Sequence, residues 1–284
     1  MISHETPLSI LHVAQPTRGG VASCVLALAS DQVRRRWQVS VACPPGPFAD
    51  DVAAAGAIHH PWAARRNPGP SLVAETVRIR RIIDASSPDV IHLHSSKAGL
   101  AGRLAPRRRR PTVFQPHAWS FEALLGPARA AAIAWERLSA RWSDVIVCVS
   151  RGELERGTGV AIRADWRVIP NGVDVQTLRE ASGEERAVAR RRLNVHDSPL
   201  VVCVGRLSRQ KGQDVLLEAW PSVTERVSSA RLVLVGDGPE EARLRSSAGP
   251  GVRFAGQRED VACWLAAADV VAFPSRWEGM SIAM

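Results

Sequence analysis

Short apolar runs alternating with longer amphipathic stretches constrain this chain more than any other feature. In the first half the runs fall at 10–13, 39–42, 90–93, 112–114, 145–149 and 168–169. Helical patterns near 20–36, 71–86, 97–105, 128–142 and 151–157 separate them. The second half repeats the scheme, with runs at 200–204, 231–235, 252–255 and 270–273 and helical patterns near 184–193, 212–228, 239–247 and 259–268. Strands of four to six residues that are apolar on both faces belong in buried parallel sheets. Their alternation with helices implies βαβ units. Two such series predict an α/β protein of two Rossmann-like domains, 1–174 and 175–284, linked through Pro170, Asn171, Gly172, Val173 and Asp174.

Composition narrows the class further. With 45% hydrophobic and 23% charged residues, disorder, collagen and coiled coil are excluded. No apolar run approaches the roughly 20 residues of a membrane-spanning helix. The first residues show neither a basic n-region nor a long apolar h-region, so no secretory signal is expected. The five cysteines contain no CxxC pair and read as reduced fillers of a cytoplasmic protein.

Charge is unevenly spread. Residues 1–174 hold 22 basic and 14 acidic side chains (+8), and 175–284 hold 15 and 14 (+1). Basic clusters lie at 34–36, 65–66 and 107–110. Such a half is expected to meet an anionic membrane surface or a phosphate-bearing acceptor, unless the arginines are merely solvated faces. Nucleic acid ranks last, because the basic runs lack interleaved aromatics and the chain has no Tyr.

Several strand-end segments carry chemistry. Gly205, Arg206 and Lys211 follow the first strand of the second half. Arg206 offers a fork for phosphate oxygens, and Lys211 a compact ammonium in a chain with only two Lys. There is neither a P-loop nor a GxGxxG, which argues against a nicotinamide dinucleotide. After the fourth strand, Gly279, Met280 and Ser281 read as the opening of a helix whose N–H groups receive an anion. Glu278 beside them suits hydroxyls, so the pair of features fits a polyol next to a diphosphate. Gly19 and Gly20 make a close-approach turn after the first strand. His94 and His117 end two others, where open α/β sheets bind ligands. The 92–94 HxH spacing resembles a metal pair, but the sequence shows no third ligand at a suitable spacing, so no metal is expected.

Taken in order, these segments resemble a retaining GT-B glycosyltransferase of the GT4 family. The carriers are the Gly19-Gly20 loop, Asp89 to His94, the His117 segment and Pro170 to Asp174. The second half adds Val204-Gly205-Arg206 with Lys211-Gly212, Val235 to Pro239, Phe254-Ala255-Gly256, and Pro274-Ser275 through Glu278-Gly279. The resemblance implies two domains facing a central cleft and a nucleoside diphosphate sugar as donor, a UDP- or GDP-sugar. Arg206, Lys211, Gly20 and the N–H groups near Gly279, Met280 and Ser281 would hold the diphosphate. Glu278 would bind sugar hydroxyls, and His117 would lie against the sugar at the reacting centre. Gly19 and His94 would line the acceptor side, and the nucleobase would pack near Arg258 and Val261. No metal and no cofactor are needed, because fixed cationic groups offset the leaving charge. Same-face attack within an ion pair would give retention without a covalent adduct.

One departure stands out. The family's second Glu, eight positions after Glu278, would fall at 286, and the second sheet lacks two strands of the usual six. The sequence therefore reads as truncated, with the 270–273 strand left as a bare edge. The expected activity is sugar transfer to a carbohydrate or lipid-linked acceptor for a polysaccharide or glycolipid, at the inner face of the plasma membrane. The apolar and aromatic segment 119–142 would either enter that interface or pack on the sheet. An inactive remnant that only binds nucleotide sugars, and a nucleotide-sugar epimerase, are the alternatives.

Overall fold

A computed structural model describes residues 7–105, 110–172, 182–195 and 198–281. The basic residues 107–109, the end of the 170–174 link and the expected boundary after 174 lie outside them. The chain divides into two compact units: Met1–Gly172 with Gly279–Ser281, and Val173–Glu278 with Ile282–Met284.

In the first unit the elements run β1 (Ser9–Ala14), α1 (Gly20–Arg34), β2 (Gln38–Cys43), α2 (Pro47–Ala54), β3 (Ile58–Pro61), α3 (Leu72–Ser86), β4 (Val90–His94) and α4 (Ser95–Leu104). They continue with β5 (Thr112–Gln115), α5 (Gly126–Ser139), β6 (Val145–Cys148), α6 (Arg151–Gly159) and β7 (Trp166–Val168). All pairings are parallel, in the order β3-β2-β1-β4-β5-β6-β7. The strand order reverses between β1 and β4, the switch point where such sheets open a crevice.

Side-chain alternation sends Leu11, Val13, Ile91 and Leu93 to the face covered by α3 and α4, and Ala14, Val39 and Val41 to the face covered by α1 and α2. α4 packs close because Gly99 and Gly102 lack a Cβ. One built at Gly99 would lie 2.4 Å from Phe114, and one at Gly102 2.3 Å from Leu93. Two elements escape the apolar-run pattern. α2 starts with Pro47 in its first turn, where a missing N–H costs nothing. β3 is a half-exposed edge strand reading Ile-His-His-Pro.

The second unit contains α7 (Gly183–Arg192), β8 (Leu200–Val204), α8 (Gln213–Arg226), β9 (Arg231–Val235), α9 (Glu241–Ser247), β10 (Val252–Gly256), α10 (Val261–Ala267) and β11 (Val270–Val271). The parallel order is β10-β9-β8-β11, again reversing beside the first strand of the unit. β11 is shorter than the 270–273 run and lies at the sheet's edge, with Val270 exposed. Gly212 in αL (φ +67°) lets the β8–α8 turn press on the 274 carbonyl, since a Cβ there would fall 2.1 Å from the Pro274 oxygen.

Candidate functional site

Register assembles the polar group of the first unit. His12 of β1 lies opposite His92 of β4, and His94 lies two residues beyond His92 on the same face. Three imidazoles thus meet on the α1 side of the sheet. Their edges form a chain. His12 Nε2 meets Gln32 Oε1 of α1 at 2.8 Å, His12 Nδ1 meets His94 Nε2 at 3.0 Å, and His94 Nδ1 meets His117 Nε2 at 3.1 Å. His92 stacks on His94 with ring centroids 3.9 Å apart, and its Nε2 is buried without a hydrogen-bond partner among the described residues. Burial lowers the pKa of His12 and of His117 to about 4. It drives His92 and His94 well below the ordinary imidazole value too, and neighbouring imidazoles add to the effect. All four rings are neutral near pH 7.

His12, absent from the sequence expectations, supplies the third ligand position that the HxH spacing lacked. Among the described residues, His12, His92 and His94 can set one nitrogen each within 4.8 Å of one another, a set able to hold a transition metal. Two of those nitrogens already face each other at hydrogen-bond distance.

His117 follows β5 with φ +60°, a conformation unusual for a non-glycine residue. Its backbone carbonyl packs against Gly279, where a Cβ would come within 2.5 Å of the oxygen. Residues 279–281 are irregular rather than helical, and their continuation lies outside the described residues. The Gly279 carbonyl accepts from Ser150 Oγ at 2.6 Å, and the Met280 carbonyl accepts from Asn171 Nδ2 at 3.1 Å. Ser281 is buried. Ser150 also caps α6, accepting from the Glu153 N–H, while Glu153 accepts from the Val149 N–H. Burial raises the Glu153 pKa to about 7. Gly19 (φ +75°) and Gly20 lie exposed at the start of α1, which leaves the first-turn N–H groups open.

The second unit places Lys211 and Glu278 in direct contact, Nζ to Oε1 at 2.5 Å, both side chains about one-fifth exposed. Ser275 Oγ donates to the same carboxylate oxygen at 2.9 Å. Gln210 Nε2 donates to the Trp277 carbonyl, and Arg276 grips Asp214 through two bonds of 2.7 and 2.9 Å. The Arg276 guanidinium holds the Asp214 carboxyl down to about 2. Arg206 is exposed, and its guanidinium has no partner among the described residues. Arg258 is held by Asp260 just before α10, at 2.8 and 2.9 Å, and Val261 opens that helix. The residues expected to hold phosphate and sugar hydroxyls therefore meet each other: the ammonium of Lys211 neutralises the carboxylate of Glu278.

The segment 119–142 divides. Trp119 and Phe121 are buried, whereas Leu124, Leu125, Leu138 and Trp142 are exposed. Among the described residues, no helix is long and apolar enough to cross a membrane.

Two units, each a Rossmann-like parallel sheet, fit the GT-B fold. HepE from Anabaena, solved in complex with UDP-glucose, superposes with a TM-score of 0.78 at 24% identity, covering 94% of this chain and 74% of that one. Sucrose-phosphate synthase from Thermosynechococcus elongatus gives 0.75 at 20% identity, covering 96% and 77%. Residues 18–177 match Glycosyltransferase Family 4, and residues 198–284 match the glycosyl transferases group 1 family. The GDP-mannose-dependent alpha-(1-6)-phosphatidylinositol monomannoside mannosyltransferase of Mycobacterium tuberculosis is 30% identical, over 93% of this chain and 71% of its own length. An Escherichia coli UDP-Gal:alpha-D-GlcNAc-diphosphoundecaprenol alpha-1,3-galactosyltransferase is 27% identical over 73% and 57%. The chain belongs to Glycosyltransferase Family 4.

Proposed function

We propose that this protein transfers a sugar from a nucleoside diphosphate donor, a UDP- or GDP-sugar, to an acceptor hydroxyl with retention at the anomeric carbon. The observation that carries the reading is the Lys211–Glu278 pair, with Arg206 exposed on the same β8–α8 connection as Lys211. A cation and a carboxylate that neutralise each other without ligand are the groups that a diphosphate and a polyol separate. The diphosphate takes the ammonium of Lys211 and the fork of Arg206. Glu278 is then released to accept from sugar hydroxyls. In transfer, the bond between the anomeric carbon and the diphosphate oxygen breaks, and a bond to the acceptor oxygen forms. The acceptor proton passes to the departing diphosphate, whose charge Arg206 and Lys211 offset.

The remaining assignments follow the same order. In the first unit, the N–H groups near Gly20, Gly279, Met280 and Ser281 are the ones offered to an anion. Arg258 and Val261 flank the base, and Gly19, His94 and His117 form the side where acceptor and sugar meet. A lipid-linked or polysaccharide acceptor at an anionic membrane fits the +8 first half and the exposed Leu125, Leu138 and Trp142. The mycobacterial and Escherichia coli relatives act on lipid-borne acceptors, as their names state.

The test is radiolabel transfer from GDP-mannose, UDP-glucose and UDP-galactose to glycolipid and polyprenyl-diphosphate sugar acceptors. One donor class should give product, and Lys211→Ala should lower turnover by roughly a hundredfold or more. Absence of transfer and of nucleotide release with every donor would contradict the reading.

A further inference from the structure

We infer that Gln32, His12 and His94 are positioning residues that fix His117 as a single tautomer, with hydrogen on Nε2 and the free lone pair on Nδ1. The inference takes its functional meaning from the transferase reading, but its structural content stands on the hydrogen-bond chain alone. A neutral imidazole has one N–H and one lone pair. Gln32 presents its Oε1, which only accepts, so the hydrogen between it and His12 belongs to His12 Nε2. His12 Nδ1 is then a lone pair, and the hydrogen across the 3.0 Å contact belongs to His94 Nε2. His94 Nδ1 is left as a lone pair in turn, so the hydrogen across the 3.1 Å contact belongs to His117 Nε2. One amide oxygen on α1 thereby sets the polarity of three rings and leaves a lone pair on His117 Nδ1, just after β5.

A further observation supports the chain. Each link is buried or half-buried, so water does not scramble it. The chemical consequence is specific. His117 accepts a hydrogen bond from a ligand hydroxyl through Nδ1, and it does not donate a proton to a departing phosphate.

The nitrogen resonances of the histidine rings read this directly. In protein labelled with ¹⁵N-histidine, assigned by loss of a signal in His117→Gln, the His117 Nδ1 should resonate as a pyridine-type nitrogen and Nε2 as a pyrrole-type one. Gln32→Glu keeps an acceptor and should preserve that pattern. Gln32→Leu removes it, so the His117 pair should move toward averaged values and turnover should fall roughly tenfold. A pyrrole-type Nδ1 on His117 in the wild type would overturn the inference, and so would an unchanged pattern in folded Gln32→Leu. The wild-type spectrum decides the matter if that variant fails to fold. Stoichiometric zinc binding that shifts His12, His92 and His94 together would also overturn it, because the cation needs a lone pair where the chain places hydrogen on His94 Nε2. The expected tautomer without transfer from any donor would sink the transferase reading alone. Transfer by a protein with Nδ1 protonated would sink the chain alone.

Discussion

The two units solve the same problem, holding polar groups at the ends of parallel strands, by opposite means. In the first, outside the buried Lys97–Glu75 and Arg103–Glu136 pairs, burial removes charge: four imidazoles are neutral, and the Glu153 carboxyl is pushed up to about 7. In the second, charge is kept and paired: Lys211 meets Glu278, and the Asp214 carboxyl is held down to about 2 by Arg276. Neutral buried donors and acceptors orient a ligand without attracting counter-ions. Partly exposed ion pairs are easier to separate than buried ones, because solvent still screens them. On the proposed reading, the first unit positions a ligand and the second exchanges a partner for a charged one.

The largest expected effect tests the exchange. Glu278→Gln should reduce transfer by about two orders of magnitude through lost contacts to the sugar in the transition state. Binding of the bare nucleoside diphosphate should instead tighten up to roughly fivefold, because Lys211 is released from its pair. Calorimetry beside a transfer assay reads both, and a parallel fall in the two would break the contrast.

Acid stability tests the neutral array. His12 has a folded pKa of about 4 against an ordinary value of 6.5. Above pH 6.5 the ring is neutral in both states and stability is fully present. As pH falls from 6.5 to 4, the unfolded chain takes up a proton that the folded one refuses. Stability then falls by about 3 kcal/mol from this residue, at 1.36 kcal/mol per pKa unit. Urea titrations should show His12→Asn flattening this slope. A slope unchanged by the substitution would contradict the assigned burial.

Glu153 gives the smaller, opposite effect. Its carboxyl is protonated in both states below about pH 4.5. As pH rises toward 7 the unfolded chain releases a proton that the folded chain keeps, so stability falls. Glu153→Gln should therefore stabilise the protein at pH 8 by about 1–2 kcal/mol and change little at pH 5. A loss at pH 8 would mean that the ionised carboxylate is well accommodated.

The fold was legible because buried parallel strands need continuous apolar runs, and the runs at 10–13, 90–93, 200–204 and 231–235 each became a central strand. α2 and β3 were not legible: one begins at a proline-rich turn, and the other is an edge strand with two histidines. Candidate strand-end residues were readable one by one, but the contacts among them were not. His94 and His117 stand out as strand-end histidines, whereas His12 joins them only through the register of β1 on β4, and Gln32 only through the seating of α1. A histidine inside an apolar first strand, at the same alternation as the HxH pair, was the available signal. Lys211 and Glu278 are 67 positions apart, and nothing local to either announces that they neutralise each other.

The central claim, that the second unit trades its Lys211–Glu278 pair for a diphosphate, is tested most directly by titrating GDP and UDP into the wild type and Lys211→Ala by calorimetry. The account predicts saturable one-to-one binding of at least one nucleotide to the wild type, and loss of that binding in the variant. Equal binding to both proteins, or none to a folded wild type, would contradict it.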